Sequence, residues 1–357
     1  MKATAKLNAL GQSLWLDNIT RDMLDDGTLE RYIAELSVTG LTSNPTIFDH
    51  AIGKSSTYDA AIRDCLGRAG SPEDLFFDLA LGDLTRAADL FRPIHDRTNG
   101  VDGWVSLEVS PLLAYETKST LAMAKDLHAR GGRPNLYIKI PGTKEGLPAI
   151  EESIFAGVPI NVTLLFSREQ YVAAAQAYQR GIERRIAEGL DPYVGSVASI
   201  FISRWDVAVK DEVPDNLRDK LGIAIAMRAY KAYHELLASP AWQRSYNVGA
   251  RPQRLLWAST GTKDPRASDI LYIKALASPF TVNTMPEGTL QAFADHGEVT
   301  GDTVHGRYDE ARAVIAELEA LGVSYDEVVN LLETEGVEKF NVSWADLLAT
   351  VETALKG

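Results

Sequence analysis

Eight short runs rich in β-forming residues recur along the chain, each separated from the next by a longer stretch at helical spacing. That alternation constrains the fold more than any other feature. The runs are SLWLDN (13–18), GLTSNPT (40–46), GWVSLEVS (103–110), NLYIKIP (135–141), VPINVTLL (158–165), YVGSVASI (193–200), RLLWAST (254–260) and FTVNTMP (280–286). Strand, helix and returning parallel strand make the unit of a helix-wrapped parallel sheet. Eight units predict an α/β chain, a single (β/α)8 TIM barrel with additional N- and C-terminal helices. An open doubly wound sheet satisfies the same alternation. Closure is favoured because polar residues fall late in nearly every run, as they do when all strand C-termini converge on one mouth.

Good helices lie between the runs. TKSTLAMAKDLHARGG closes on glycines, and SREQYVAAAQAYQRGIERRIAEG opens on a serine cap and stops at a glycine. The interval between the second and third runs is long, and SPEDLFFDLALGDLTRAADLF reads there as an extra helix, the alternative being a small inserted domain. After the eighth run, YDEARAVIAELEALG, SYDEVVNLLETEG and SWADLLATVETALKG predict a C-terminal helical cap over 289–357, with 1–357 as one domain.

Composition narrows the function. A chain of 357 residues, 45% hydrophobic and 24% charged, can build one large core. Its net charge of -13 opposes general attraction to nucleic acid, so an anionic ligand must meet a local cationic site. The lone cysteine, Cys65, cannot form an intrachain disulfide, and MKATAKLNALGQS lacks the apolar stretch of a signal peptide, which predicts a cytoplasmic protein. No run approaches the roughly 18 apolar residues of a membrane span.

Read in order, the strand ends present Asp17, Asn44, Glu108, Lys139, Thr163 and Ser199, each among mainly apolar neighbours. Buried charges are costly unless paired, so Asp17, Glu108 and Lys139 on neighbouring strands predict a mutually compensating cluster. A lysine of ordinary pKa, about 10.4, is only ~0.04% neutral at pH 7, and the neutral amine is the form that attacks a carbonyl. Lys139 sits in LYIKIPG with Leu136, Ile138 and Ile140, and Pro141-Gly142 ends the strand. Alone it reads as a lysine snorkelling at a strand end; the two carboxylates turn the reading to a Schiff-base nucleophile. Asp17 is assigned the hydroxyl proton in carbon–carbon cleavage, and Glu108, with Thr163 holding a water, the dehydration step. The simpler alternative for each carboxylate is an ion pair that merely neutralises Lys139. ILYIKALA gives Lys274 similar neighbours, but Ile270, Ile273, Leu276 and Ala277 fall at helical spacing, so Lys274 reads as a solvated helix lysine.

In ASIFISRW, Ser199 and Arg204 sit where a hydroxyl and a guanidinium can hold a phosphate, which predicts a phosphorylated substrate. STGTKD after the seventh run offers Thr262, Lys263 and backbone amides to the same end, or else forms a solvent-facing loop. GKSS at 53–56 lacks the glycine a phosphate-binding loop needs, since that position is Phe48. His234-Glu235 ends on Ala238 where a zinc-protease pattern has histidine, and no metal site is expected.

These residues resemble the transaldolase family, with an aspartate on strand one, T-x-N-P-[ST] after strand two, a glutamate on strand three and the Schiff-base lysine on strand four. Here they are Asp17, Thr42 to Thr46, Glu108 and Lys139. The similarity continues through NVTLLFS, with Asn161 and Thr163, to Ser199 and Arg204, and GVEKFNVSWADLL resembles the longer bacterial members. The resemblance implies transfer of a dihydroxyacetone unit from sedoheptulose 7-phosphate to glyceraldehyde 3-phosphate, giving erythrose 4-phosphate and fructose 6-phosphate. The route is a Lys139 imine and enamine, with no metal or organic cofactor. It also implies sugar-phosphate partners, a monomer or homodimer, and substrate contacts from Thr42, Asn44, Ser106 and Asn161, with Asn44 and Ser106 on donor hydroxyls. After strand seven the chain departs from shorter relatives, having STGTKD and Lys263 where they place an arginine. Two other readings remain open: an aldolase that releases free dihydroxyacetone from fructose 6-phosphate, and a sugar-phosphate-binding barrel without turnover.

Overall fold

The structure, a computed structural model, describes residues 1–65 and 70–356. Its strands are β1 (Gln12–Asp17), β2 (Val38–Thr42), β3 (Trp104–Glu108), β4 (Leu136–Pro141), β5 (Ile160–Leu165), β6 (Ser196–Phe201), β7 (Arg254–Ala258) and β8 (Thr281–Met285), closed into a barrel in sequence order. Neighbours are parallel throughout, and β1 pairs with β8 from Gln12 opposite Thr281 to Leu16 opposite Met285. That pairing shuts the ring and removes the open doubly wound sheet from consideration.

All eight runs form strands, and the second ends early. Asn44 leaves the strand to cap the helix Pro45–Lys54, its carboxamide oxygen accepting from the Ile47 N–H at 3.1 Å. Pro45 takes the first helical position, where a missing N–H is harmless. The helices Pro45–Lys54 and Asp59–Cys65 are followed, before β3, by the extra helix read in SPEDLFFDLALGDLTRAADLF, here Pro72–Arg97, capped by Ser71, whose hydroxyl accepts from the Asp74 N–H at 3.1 Å.

Side chains alternate between faces along a strand, so one register serves both floor and mouth of the barrel. Trp15 lies two residues before Asp17, Tyr137 two before Lys139, and Trp104 four before Glu108. These rings form the floor. Trp104 stacks on Tyr137 with centroids 4.0 Å apart, and Trp15 lies 6.1 Å from Tyr137. Buried Asp102 pins Trp15, accepting from its Nε1 at 2.8 Å and from the Ser13 hydroxyl, and Trp104 Nε1 donates to the Gly100 carbonyl at 2.9 Å. Gly40 on β2 leaves the space they occupy, since a Cβ there would lie 2.7 Å from both the Trp15 ring and the Trp104 carbonyl oxygen. Gly40→Ala is expected to destabilise the fold by about 1–3 kcal/mol through overpacking. Urea unfolding should show a lower midpoint at unchanged slope.

Beyond β8 come the helices Glu287–His296, Tyr308–Ala320 and Tyr325–Lys356, with residue 289 inside the first. The last corrects the sequence pattern: two helical segments flanking Gly336 form one helix of 32 residues. Glycine inside a helix costs roughly 0.5–1 kcal/mol relative to alanine. Here it permits close packing, because a Cβ at Gly336 would already sit 3.2 Å from both Leu164 and Phe166. Trp344 anchors the same helix, its ring 5.1 Å from Phe76 and 5.7 Å from Phe77. Among the described residues no helix is long and apolar enough to cross a membrane.

Candidate active site

Strand register brings the polar ring together. Glu108 lies opposite Lys139 across β3–β4, Lys139 opposite Asn161 across β4–β5, and Asp17 opposite Thr42 across β1–β2. Lys139 Nζ donates to Glu108 Oε2 at 3.0 Å and to the Ser43 carbonyl oxygen at 3.2 Å. The Lys139 and Glu108 side chains are only 7% and 3% exposed, so the pair is almost wholly desolvated. Asp17 Oδ1 accepts from the Thr42 hydroxyl at 2.7 Å, and that hydroxyl also lies 2.7 Å from the Thr284 hydroxyl.

Burial pushes the Asp17 carboxyl above the ordinary carboxylate range, with Lys139 and the Thr42 hydrogen bond pulling the other way. Burial raises Glu108 as well, against the attraction of Lys139 and with a further push from Asp17. Two carboxyls raised in this way can hold or release a proton nearer neutral pH than free ones. Glu108 Oε1 and Thr163 Oγ1 are both buried without a hydrogen-bond partner. Buried polar atoms are nearly always satisfied, so each retains hydrogen-bonding capacity in the neighbourhood of Lys139. Strand β5 is irregular next to Thr163. Leu164, the next residue, adopts a left-handed φ of 58°, and the β5–β6 register breaks between Val162 and Leu165.

A cavity of about 270 Å³ opens at this mouth, lined by Asp17, Thr42, Asn44, Lys139, Thr163, Ser199, Arg204 and Lys263 among others. The sequence-predicted residues therefore converge, with Glu108 directly behind Lys139. Ser106 and Asn161 do not reach the lining. They are fully buried and linked to it, Asn161 Nδ2 donating to Ser106 Oγ at 3.2 Å while the Ser199 hydroxyl donates to Asn161 Oδ1 at 2.7 Å. Thr262 also lies outside the lining, its hydroxyl donating to the Ser268 carbonyl at 2.7 Å. Lys274 is on the short helix Leu271–Ala275, 51% exposed and 3.4 Å from Glu298.

Arg204 and Lys263 also border a second cavity of about 660 Å³. Other cations there are engaged, Arg218 with Asp215 and Arg266 with Asp264 at 2.8 Å, and Lys339 with Glu335 at 2.6 Å. Among the described residues Arg204 and Lys263 have no carboxylate within 4.0 Å. Burial lowers the Arg204 guanidinium below its usual value, with distant Glu335 opposing. Two unpaired cations at the rim of a cavity in an acidic protein form a local anion site. Among the described residues no group of three or more His, Cys, Asp or Glu is placed to hold a metal ion.

The sequence profile described as transaldolase/fructose-6-phosphate aldolase matches residues 14–351, almost the whole chain. The chain belongs to this family. Membership makes it an enzyme, and full-length relatives agree. It is 46% identical to a transaldolase of Parafrankia sp. (strain EAN1pec), over 99% of this chain and 98% of the relative. It is 47% identical to a transaldolase of Thermobifida fusca over 98% and 97%, and 46% identical to Transaldolase 1 of Streptomyces avermitilis over 99% and 95%.

The transaldolase-family cavity also contains residues that strand-end reading missed: Thr46, Ile47, Phe201, Ala258, Ser259, Gly261, Thr284, Pro286 and Phe340. Thr284 carried a usable signal, being polar and late in the eighth run. Phe340 lies within GVEKFNVSWADLL, the segment similar to the longer family members, but an apolar residue on an amphipathic helix reads as core rather than as cavity lining.

Proposed function

We propose that this enzyme works as a transaldolase, with Lys139 as the Schiff-base nucleophile. The observation that carries the reading is the desolvated Lys139–Glu108 contact of 3.0 Å at the base of a cavity that also holds Asp17. The Lys139 amine adds to the C2 carbonyl of a ketose phosphate. Glu108, with a water held between its Oε1 and Thr163 Oγ1, moves the protons that let the carbinolamine lose water. Asp17 takes the proton of the C4 hydroxyl as the C3–C4 bond breaks, the aldose phosphate leaves, and the three-carbon enamine stays on Lys139. An incoming aldehyde accepts that carbon, Asp17 returns its proton to the new hydroxyl, and hydrolysis of the imine frees the product.

The donor is sedoheptulose 7-phosphate and the acceptor glyceraldehyde 3-phosphate, a step of the non-oxidative pentose phosphate pathway, which places the enzyme in the cytoplasm. The unpaired Arg204 and Lys263 receive the distal phosphate, Asn44 and Thr42 face donor hydroxyls, and Ser199 reaches the sugar while Asn161 and Ser106 hold it in place from below. The whole chain acts as one domain whose C-terminal helices cap the mouth.

The test is an assay with fructose 6-phosphate, with and without erythrose 4-phosphate. Transferase activity requires the aldehyde; dihydroxyacetone released at the same rate without it would instead support a simple aldolase. Arg204→Ala should lower kcat/KM for phosphorylated donors roughly 10- to 100-fold, as expected for losing a charge-assisted hydrogen bond. Most of that loss should appear in KM. An effect under twofold would detach Arg204 from the phosphate.

A further inference from the structure

The C-terminal helix Tyr325–Lys356 places an aromatic ring over the reactive lysine. The Phe340 centroid lies 5.6 Å from Lys139 Nζ, and the ring lines the catalytic cavity at 8% exposure. Its position is held from both sides. Before it, Gly336 packs on Leu164 and Phe166, next to Thr163, and Gln170 donates to Glu333 at 2.5 Å. After it, the Thr46 hydroxyl donates to Ser343 at 2.8 Å, Trp344 is packed against Phe76 and Phe77, and the Thr350 hydroxyl donates to Asp49 at 2.7 Å. The polar partners of Lys139 come from β3 and from Ser43 after β2. Phe340 approaches from a separate element and presents no donor or acceptor.

We propose that Phe340 is a specificity-determining residue that keeps water from the Lys139 enamine, so that the three-carbon fragment is transferred rather than released. The proposal rests on the Schiff-base reading of Lys139 given above. The enamine has two fates. In transfer, its nucleophilic carbon bonds to the aldehyde carbon, the aldehyde oxygen takes a proton, and water hydrolyses the resulting iminium. In release, the same carbon takes a proton from a water molecule. The hydroxide left behind adds to the iminium, and the carbinolamine breaks its C–N bond to give dihydroxyacetone and free Lys139. Both fates use the same Lys139, Glu108 and Asp17, so these residues do not choose between them. The choice depends on whether water stands beside the enamine carbon before the aldehyde arrives. An aromatic face offers water nothing to bind, while the same face favours the positive charge of the ammonium and the protonated imine.

Phe340→Ala opens that space, and Phe340→Gln fills it with an amide that binds water. Dihydroxyacetone release from fructose 6-phosphate alone, and transfer to erythrose 4-phosphate, are measured for each variant and the native enzyme. Borohydride labelling of Lys139 by the donor serves as a check that the site is assembled. The expected result is a rise of at least tenfold in the release-to-transfer ratio in both variants, with Lys139 still labelled. If Phe340→Ala fails to fold, the Gln variant alone reads the ratio. A ratio unchanged within twofold, with both rates falling in parallel, would overturn the proposal and leave Phe340 a packing residue. A native enzyme that takes no label on Lys139 would remove the Schiff-base reading itself, and this role for Phe340 with it.

Discussion

Lys139→Met is expected to abolish transfer and borohydride labelling while the barrel still folds, because methionine roughly keeps the shape of lysine and only the nucleophile is lost. The change is not neutral for stability. Glu108 loses the ammonium 3.0 Å away, and breaking a buried pair by removing one partner costs about 3–5 kcal/mol when the remaining charge stays. The carboxyl escapes part of that cost by taking a proton. Burial already raises Glu108 above its unfolded value, and without Lys139 nothing nearby opposes the shift. A carboxyl raised in the folded state binds its proton more tightly there than in the unfolded chain, so its contribution to stability falls as pH rises from the unfolded value through the folded one. The stability deficit of Lys139→Met against the native enzyme should therefore be smaller at pH 5 than at pH 8, approaching about 3 kcal/mol only where the buried carboxyl is ionised. Urea unfolding at the two pH values measures this. Turnover near the native rate, or a label on Lys274, would overturn the active-site assignment.

Asp17→Asn should separate the two halves of the reaction. Its amide oxygen can still accept from the Thr42 hydroxyl, so the local structure survives, but it cannot take a proton. Loss of a positioned general base lowers kcat by roughly 10²- to 10⁴-fold. Imine formation depends on Lys139 and Glu108 and continues. Borohydride trapping with fructose 6-phosphate should then give a six-carbon adduct on Lys139, where the native enzyme yields the three-carbon one, and peptide mass mapping distinguishes them. On the proposed mechanism Asp17 must be ionised to act, and burial raises its pKa, so activity is expected to decline on acidification at a pH above that of an ordinary carboxylate. That decline should be absent from the residual activity of Asp17→Asn. Activity within tenfold of native would assign the hydroxyl proton to another group.

The barrel was legible because its strands are short, separated and polar at one end, and the Glu108–Lys139 pair was legible because charge in an apolar strand needs a partner. Glu108 and Lys139 meet that requirement through register, whereas Asp17 on β1 stands opposite Thr42 and accepts from its hydroxyl, with Lys139 acting on it only through space. Other parts depend on contacts that spacing does not encode. The single helix Tyr325–Lys356 looked like two because Gly336 is a helix breaker in isolation; only its packing on Leu164 and Phe166 accounts for it. Phe340 reaches Lys139 from the far end of the chain, and although it lies within GVEKFNVSWADLL, nothing in that segment's spacing ties it to the strand ends. The bonds joining Ser106, Asn161 and Ser199 lie under the cavity, where buried structural and substrate-facing polar groups look alike in sequence.

The pairing of β1 with β8 has a consequence for how such a molecule comes into being. Gln12 Nε2 donates to Thr281 Oγ1 across a separation of 269 residues. Closing a loop of that length carries an entropic penalty of about 5 kcal/mol by chain statistics. Until the eighth strand arrives, the preceding seven present two unpaired edges, the feature that drives strand-to-strand aggregation. Thr284, which joins Thr42 beside Asp17, comes with that same late strand. During synthesis on the ribosome, a growing chain is thus most prone to self-association just before its catalytic centre is assembled, and one late event, arrival of the eighth strand, ends the first condition and begins the second.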